Sequence, residues 1–382
     1  MGSEYMKTIA KGNNDMSMKL YEEVVKQVKG NVIYSPISVH TILSLLHQGS
    51  TGKIANDMQR VLGIPEKSFS AAGFQELMTS LNGVQNITLE MANKVFVMEG
   101  CKLNPTFKEV ALKSFNAGAD EVNFAENQKA ASTINGWVEE KTKDKIKNLI
   151  DPNALNSLTR MVLVNAIYFK GDWAKKFNKN NTTKQKFYTS TTDSVEVDMM
   201  HMKDKFFYGE KADLDAKVLS IPYLNQDVSL VVVLPNDVDG IEELEKKLIN
   251  YDMSNLTKDN YKMEVELSLP KFKIETTIDL NQPLKNIGLD KMFAVSEDLS
   301  GLLSNPNEPL YVSKVIQKAF IEVNEEGAEA AAATAVIMCC RAMPMQQPPT
   351  RVFKADHPFL CILEHCPTNQ SLFMGKITNF NH

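Results

Sequence analysis

The 382-residue sequence has no apolar run long enough to span a bilayer, which excludes a helical membrane protein. It has only five cysteines, Cys101, Cys339, Cys340, Cys361 and Cys366, and their spacing fits neither a zinc site nor a dense disulfide framework. An odd count leaves at least one thiol unpaired within a monomer. HExxH, P-loop, GxGxxG and GxSxG motifs are missing, and His201 and His357 have no catalytic partner nearby in sequence, so an enzyme is not expected and no cofactor or metal is implied. A net charge of −5 argues against general nucleic-acid binding. No Pro/Gly/Ser-rich spacer or repeat divides the chain, so a length that usually gives two or three domains reads as one domain over residues 1–382. The first residues lack the apolar core of a signal peptide. Met1-Gly2-Ser3 reads as an expression scar, and residues 1–10 as flexible or added.

What is present is patterned. Met18, Tyr21, Val24, Val25 and Val28 recur at helical spacing after a cap signal at Asn13-Asn14-Asp15, predicting a helix over 14–29. Asn31 to Tyr34 reads as a strand, and Ser35-Pro36-Ile37-Ser38 opens a helix through Ile42, Leu45 and Leu46. Strands are expected over 88–98 and 160–170, the latter so continuously apolar that both its faces should be buried. A helix is expected over 127–143, with shorter ones over 240–250 and 279–288. Strand patterns follow at 228–234, 263–272 and 316–323, then at 352–353, 359–363 and 372–377. Helices early and strands late argue for an α+β fold rather than alternating α/β.

One segment has an unusual composition. From Ala328 to Ala335 only Glu329 and Thr334 are not alanine, and no proline occurs between Gly327 and Met343. Alanine favours helix, but eight residues without a partner face make a marginal helix in water. The alternative is a segment built to enter an existing sheet, where alternate side chains share a face and proline would block the ladder. Ala328, Ala330, Ala332 and Thr334 would then lie on one side, together with Val336 and Met338.

This run resembles the reactive-centre loop of the serpins, and the flanking residues resemble the serpin signature. Ile316-Gln317-Lys318-Ala319-Phe320-Ile321-Glu322-Val323-Asn324-Glu325-Glu326-Gly327 precedes it, and Phe353-Lys354-Ala355-Asp356-His357-Pro358-Phe359 follows. Leu163 to Trp173, Leu269-Pro270-Lys271-Phe272 and Leu372-Phe373-Met374-Gly375 match further family segments in the right order, and the style is closest to arthropod members. The resemblance implies a single-domain fold with three β-sheets, eight or nine helices and an exposed reactive-centre loop at about 325–350. It implies a monomeric inhibitor of serine proteases. A hinge would comprise Glu325, Gly327, Ala328, Ala330, Ala332 and Thr334. Ser35, Ser38, Asn165 and Gln317 match the polar shutter that holds the sheet closed, and Trp173 the aromatic where the loop first enters. Many members carry a histidine where Gln317 stands, so this shutter should not titrate.

Family spacing places the reactive bond fourteen residues after Gly327, at Arg341-Ala342. An arginine there implies a trypsin-like target, whose primary pocket carries a carboxylate that a guanidinium can pair with. Met338, Cys340 and Met345 are the alternatives. The implied setting is extracellular, in an immune or clotting-type protease cascade. Sequons at Asn86, Asn180, Asn181, Asn255 and Asn369 agree with secretion, although such triplets also arise by chance. Lys170, Lys175, Lys176, Lys179, Lys184 and Lys186 form a basic cluster, and Lys141, Lys143, Lys145 and Lys147 a second. Both read as solvated faces or, by family precedent, as a site for a heparin-like glycosaminoglycan activator. Cys339 and Cys340 read as small hydrophobes or as an oxidisable pair. A non-inhibitory serpin, a chaperone or ligand carrier, is the other class compatible with the resemblance.

Overall fold

The computed structural model describes residues 3–84, 87–224, 226–305, 309–326 and 350–380. The chain begins with helix α1 (Glu4–Gln27), capped by Ser3, whose hydroxyl accepts from the Met6 N–H. This moves the helix start from the expected residue 14 to Glu4, so residues 4–10 are helical. Met6 and Ile9 extend the buried stripe of Met16, Tyr21 and Val24 toward the N-terminus. The Asn13-Asn14 pair is not a cap. Asn13 Nδ2 donates to the Ser371 carbonyl at 2.9 Å and Asn14 Nδ2 to the Asn369 carbonyl at 2.7 Å, docking the helix on the C-terminal hairpin.

Strand β1 (Val32–Tyr34) follows, then α2 (Pro36–Gly49), α3 (Gly52–Leu62), α4 (Lys67–Asn82), β2 (Ile87–Met98), α5 (Pro105–Phe115), β3 (Gly118–Val122), α6 (Asn127–Lys141) and β4 (Met161–Gly171). The middle of the chain gives β5 (Thr183–Tyr188), β6 (Ser194–Lys211), β7 (Ala216–Pro222), β8 (Val228–Pro235), α7 (Ile241–Leu248), β9 (Tyr261–Pro270), β10 (Phe272–Asp279) and α8 (Asn281–Leu284). It closes with β11 (Lys314–Val323), β12 (Arg351–Lys354), β13 (Phe359–His365) and β14 (Gln370–Ile377). The helix expected over 279–288 runs from Asn281 as α8 and continues in wider π-type turns over Lys285–Leu289, kinked at Gly288, whose φ of 101° is left-handed and suits glycine. Among the described residues no helix is long and apolar enough to cross a membrane.

The strands form an α+β architecture with two hydrogen-bonded sheets. The smaller has the order β10-β11-β4-β2-β3. The larger has the order β1-β14-β13-β8-β7-β6-β9-β12, with β5 added on β6. The described strands thus give two sheets rather than the three expected, because the long strand β6 joins into one sheet strands that would otherwise form two. That 18-residue strand pairs with β5 near its start, with β9 over Met199–Tyr208 and with β7 over Phe207–Lys211.

Both faces of the smaller sheet are covered. One face joins the main core through Val95, Leu163, Ile167, Phe169, Ala319 and Ile321. The other packs under α6 and the segment after it through Phe96, Ile134, Val138, Val164, Tyr168 and Phe320. Met161 to Phe169 are accordingly all buried, as the continuous apolar run required.

Candidate functional site: the seam between β4 and β11

Within the smaller sheet β4 and β11 are parallel neighbours, in register from Val162 opposite Lys314 to Phe169 opposite Ile321. The outer partners β2 and β10 are both antiparallel to them. The seam is therefore a parallel pairing between two antiparallel ones, and parallel pairing is slightly weaker per residue.

Midway along the seam, three amides share one rung. Asn93 on β2 lies opposite Asn165 on β4, and Asn165 lies opposite Gln317 on β11. All three are buried. Asn165 Nδ2 donates to Ser38 Oγ at 2.6 Å and to Asn93 Oδ1, and Gln317 Nε2 donates to Asn165 Oδ1. Gln317 also exchanges two hydrogen bonds with the Ser35 backbone, accepting from its N–H at 2.9 Å and donating to its carbonyl at 3.0 Å. Ser35 Oγ donates to the Leu372 carbonyl at 2.6 Å, and Ser38 Oγ to Asn93 Oδ1 at 3.0 Å. Pro36 at the first helical position and Ser35 as cap fix the start of α2 against this rung. The four predicted residues Ser35, Ser38, Asn165 and Gln317 thus form one network. Asn93 is a fifth member that sequence reasoning missed, because between Ala92 and Lys94 it reads as an ordinary outward polar position. Buried amides left without partners cost about 1–3 kcal/mol each, so opening the seam here needs replacement partners.

One end of the seam is its mouth. Trp173, just past β4, donates from Nε1 to the Asn324 carbonyl at 2.7 Å and stacks on Tyr223 with ring centroids 4.4 Å apart. Glu325 is 5% exposed, and its carboxylate accepts from Thr182 Oγ1 at 2.8 Å and pairs with Lys271 at 2.9 Å. Burial alone would raise this carboxyl, but the hydrogen bonds from Lys271 and Thr182 outweigh it and hold the group below the ordinary range. Lys271 was quoted in the Leu269-Pro270-Lys271-Phe272 match without a role. Its partner is 54 positions away, which no local pattern reveals.

Two more contacts flank the seam. Lys318, nearly buried in β11, donates to the Lys147 carbonyl and pairs with Glu275 on β10, both at 2.7 Å, tying β11 to the segment after α6. Beyond the segment between Glu326 and Thr350, Thr350 Oγ1 donates to Glu264 at 2.7 Å, and β12 pairs in parallel with β9. Gly327, Ala328, Ala330, Ala332, Thr334, Cys339, Cys340, Arg341 and Ala342 lie outside the described residues.

The basic clusters are less free than their sequence suggests. Lys175 pairs with Asp204 and Lys184 with Asp198, each at 3.0 Å, and Lys179 pairs with Glu326. The Lys179 hydrogen bond, with the added field of Lys170 and Lys176, holds the Glu326 carboxyl below its ordinary value. Lys186 is exposed on β5. In the second group Lys143 pairs with Glu90, and Lys145 sits 5.9 Å from the Tyr168 ring.

Comparison with known proteins agrees with this geometry. The family model described as Serpin (serine protease inhibitor) matches residues 11–380. The chain is 40% identical over 355 residues to antichymotrypsin-2 of Bombyx mori, spanning 92% of this chain and 94% of that protein. It is equally 40% identical over 355 residues to antitrypsin of the same organism, spanning 92% and 90%. Among solved structures, Serpin48, described as a highly specific serpin in the insect Tenebrio molitor, matches with a TM-score of 0.89 at 35% identity over 100% of both chains. Native protease nexin-1 with heparin matches with a TM-score of 0.85 at 26% identity over 98% and 99%. The chain belongs to the serpin family, the serine protease inhibitors, and its relatives include insect members.

Proposed function

We propose that this serpin inhibits a trypsin-like serine protease as a suicide substrate cut at Arg341-Ala342. The protease serine attacks the Arg341 carbonyl carbon, the bond to the Ala342 nitrogen breaks, and an acyl-enzyme ester remains. The freed segment from Gly327 to Arg341 then enters the β4–β11 seam with the protease still attached. About 15 residues at roughly 3.3 Å each carry it about 50 Å. Distortion of the protease site stalls deacylation, since even about 1 Å of misplacement costs on the order of 100-fold in rate.

The observation that carries this reading is the seam. A segment returning from Glu326 would run antiparallel to both β4 and β11. One parallel pairing would give way to two antiparallel ones, the stronger type. The resting fold is then kinetically held rather than at its free-energy minimum. Overall identity does not select the target, because the antichymotrypsin and the antitrypsin are equally similar. The arginine at position 341 does. We place the target in an extracellular immune or clotting-type cascade, and the inhibitor as a monomer.

Incubation with trypsin tests the proposal. The expected product is a complex that survives denaturing electrophoresis, with a released fragment beginning at Ala342. A different fragment N-terminus overturns the register, and turnover of the loop without any complex overturns inhibition in favour of a carrier or chaperone role. Ala328→Arg is expected to convert the inhibitor into a substrate, measured as loss of complex with continued cleavage.

A heparin-like polyanion as accelerator belongs to the same proposal. Its support is the cluster from Lys170 to Lys186 together with the heparin in the protease nexin-1 structure. The pairs made by Lys175, Lys179 and Lys184 set a limit, since a polyanion must displace three carboxylates. Salt-sensitive retention on heparin and faster complex formation with added heparin are the expected results.

A further inference from the structure

A cavity of about 680 Å³ lies over the outer face of β6, β7, β8 and β13 and reaches Ala174 and Lys175, just past Trp173. That volume falls in the range of small-molecule sites. Its floor is polar. Ser220 on β7, Ser229 on β8 and Glu364 on β13 line it, and each is nearly buried. Ser229 lies directly opposite Glu364 on one neighbouring strand and opposite Pro222 on the other, so these side chains share a face. Ser220 is two positions from Pro222 and points the same way.

Polar groups on a sheet face are ordinarily met by water or by protein. Here Ser229 Oγ accepts from Cys366 Sγ at 3.3 Å, which leaves its own hydrogen to donate. Among the described residues no hydrogen-bond donor reaches the Glu364 carboxyl. Burial pushes that carboxyl up to about 7, so near neutral pH it both donates and accepts.

The wall and rim differ from the floor. Phe207 on β6 is 52% exposed, a large ring left standing beside the cavity, with Lys262 opposite it in register on β9. Lys205 is also on the rim. The third rim lysine, Lys175, is neutralised by Asp204. Lys205 and Lys262 form no ion pair among the described residues.

We propose that this cavity binds a planar aromatic acid carrying a hydroxyl at the end remote from its acid group. The hydroxyl meets Ser220, Ser229 and Glu364 whichever way the carboxyl is protonated, because it both donates and accepts. The aromatic body packs on Phe207. The carboxylate reaches Lys205 and Lys262, where charge-assisted hydrogen bonds are available. A cation is disfavoured by the rim, and a purely apolar body would strand the floor groups without partners.

The probe is 6-hydroxy-2-naphthoate, whose own fluorescence reports binding to the full chain. Saturable binding is expected, weakened about tenfold in 2-naphthoate, which lacks the hydroxyl, and about tenfold in 2-naphthol, which lacks the acid. Phe207→Ala and Lys262→Ala are each expected to weaken it about tenfold, and either variant alone suffices should the other fail to fold. Absence of saturation up to about 1 mM overturns the site. So does equal affinity for 2-naphthoate, or wild-type affinity in both variants. Covalent trapping of trypsin is measured separately, so failure here leaves the inhibitory reading untouched, and the reverse.

Discussion

The middle of the seam and its mouth hold the same two strands by different means. The middle uses only amides and hydroxyls, from Asn93, Asn165, Gln317, Ser35 and Ser38, all buried and none able to change charge near neutral pH. The mouth uses a carboxylate between a lysine and a threonine, beside an indole bonded to a carbonyl. Neutral groups cost less to bury than ions, and a neutral network can sit deep in the sheet without a pH-dependent charge. An ion pair is tolerated at the mouth because Lys271 remains 37% exposed. The lock that spans the sheet is thus insensitive to acid, and the catch at its edge is not.

The sharpest way to break this comparison is to remove the need for both holds. Cutting the loop and letting it enter the seam adds a strand of about ten rungs at about 1 kcal/mol each, on the order of 10 kcal/mol. The expected outcome is a melting temperature raised by at least about 10 °C in calorimetry. An unchanged value would mean that no free energy is stored in the resting fold. Next in size is Asn165→Ala, which deprives Gln317, Ser38 and Asn93 of a shared partner. It is expected to destabilise the uncut protein by about 3 kcal/mol in denaturant titrations, by the same amount at pH 7 and pH 5.

Glu325→Gln should cost less, about 2 kcal/mol, by removing the charge that meets Lys271. Its pH signature sharpens the contrast. A carboxyl held below its ordinary value stabilises the fold above that value, and the contribution is lost as pH falls through the lowered one. The gap between wild type and Glu325→Gln should therefore be full at pH 7 and shrink below about pH 4.3, where the Asn165→Ala gap should not follow it. Thr182→Ala is expected to be the mildest, about 1 kcal/mol, since Lys271 keeps its hold on Glu325.

Much of the seam was legible in the sequence because its strands repeat one local signal. The strands expected over 160–170 and 316–323 appear as Met161–Gly171 and Lys314–Val323, and Ser35, Ser38, Asn165 and Gln317, singled out in the sequence, lie in one hydrogen-bonded network. What escaped was long-range or ambiguous. Asn93 alternates like a surface residue, yet both faces of β2 are covered around it. Lys318 looks like a charge on a half-exposed strand, but the segment after α6 folds over it. The strongly one-sided helix α3, whose buried residues are Ile54, Met58, Val61 and Leu62, carried a readable stripe that went unused. The Asn13-Asn14 pair misled because an asparagine pair that caps and one that grips a distant hairpin look alike in one dimension.

The position of the last three strands has a further effect. β13 lies between β8 and β14, and β14 between β13 and β1, so the C-terminal piece is woven into the interior of the larger sheet while β12 clips onto β9. A break anywhere between Glu326 and Thr350 consequently releases nothing. The two pieces should elute together from a sizing column and part only when a detergent or denaturant unravels the whole particle.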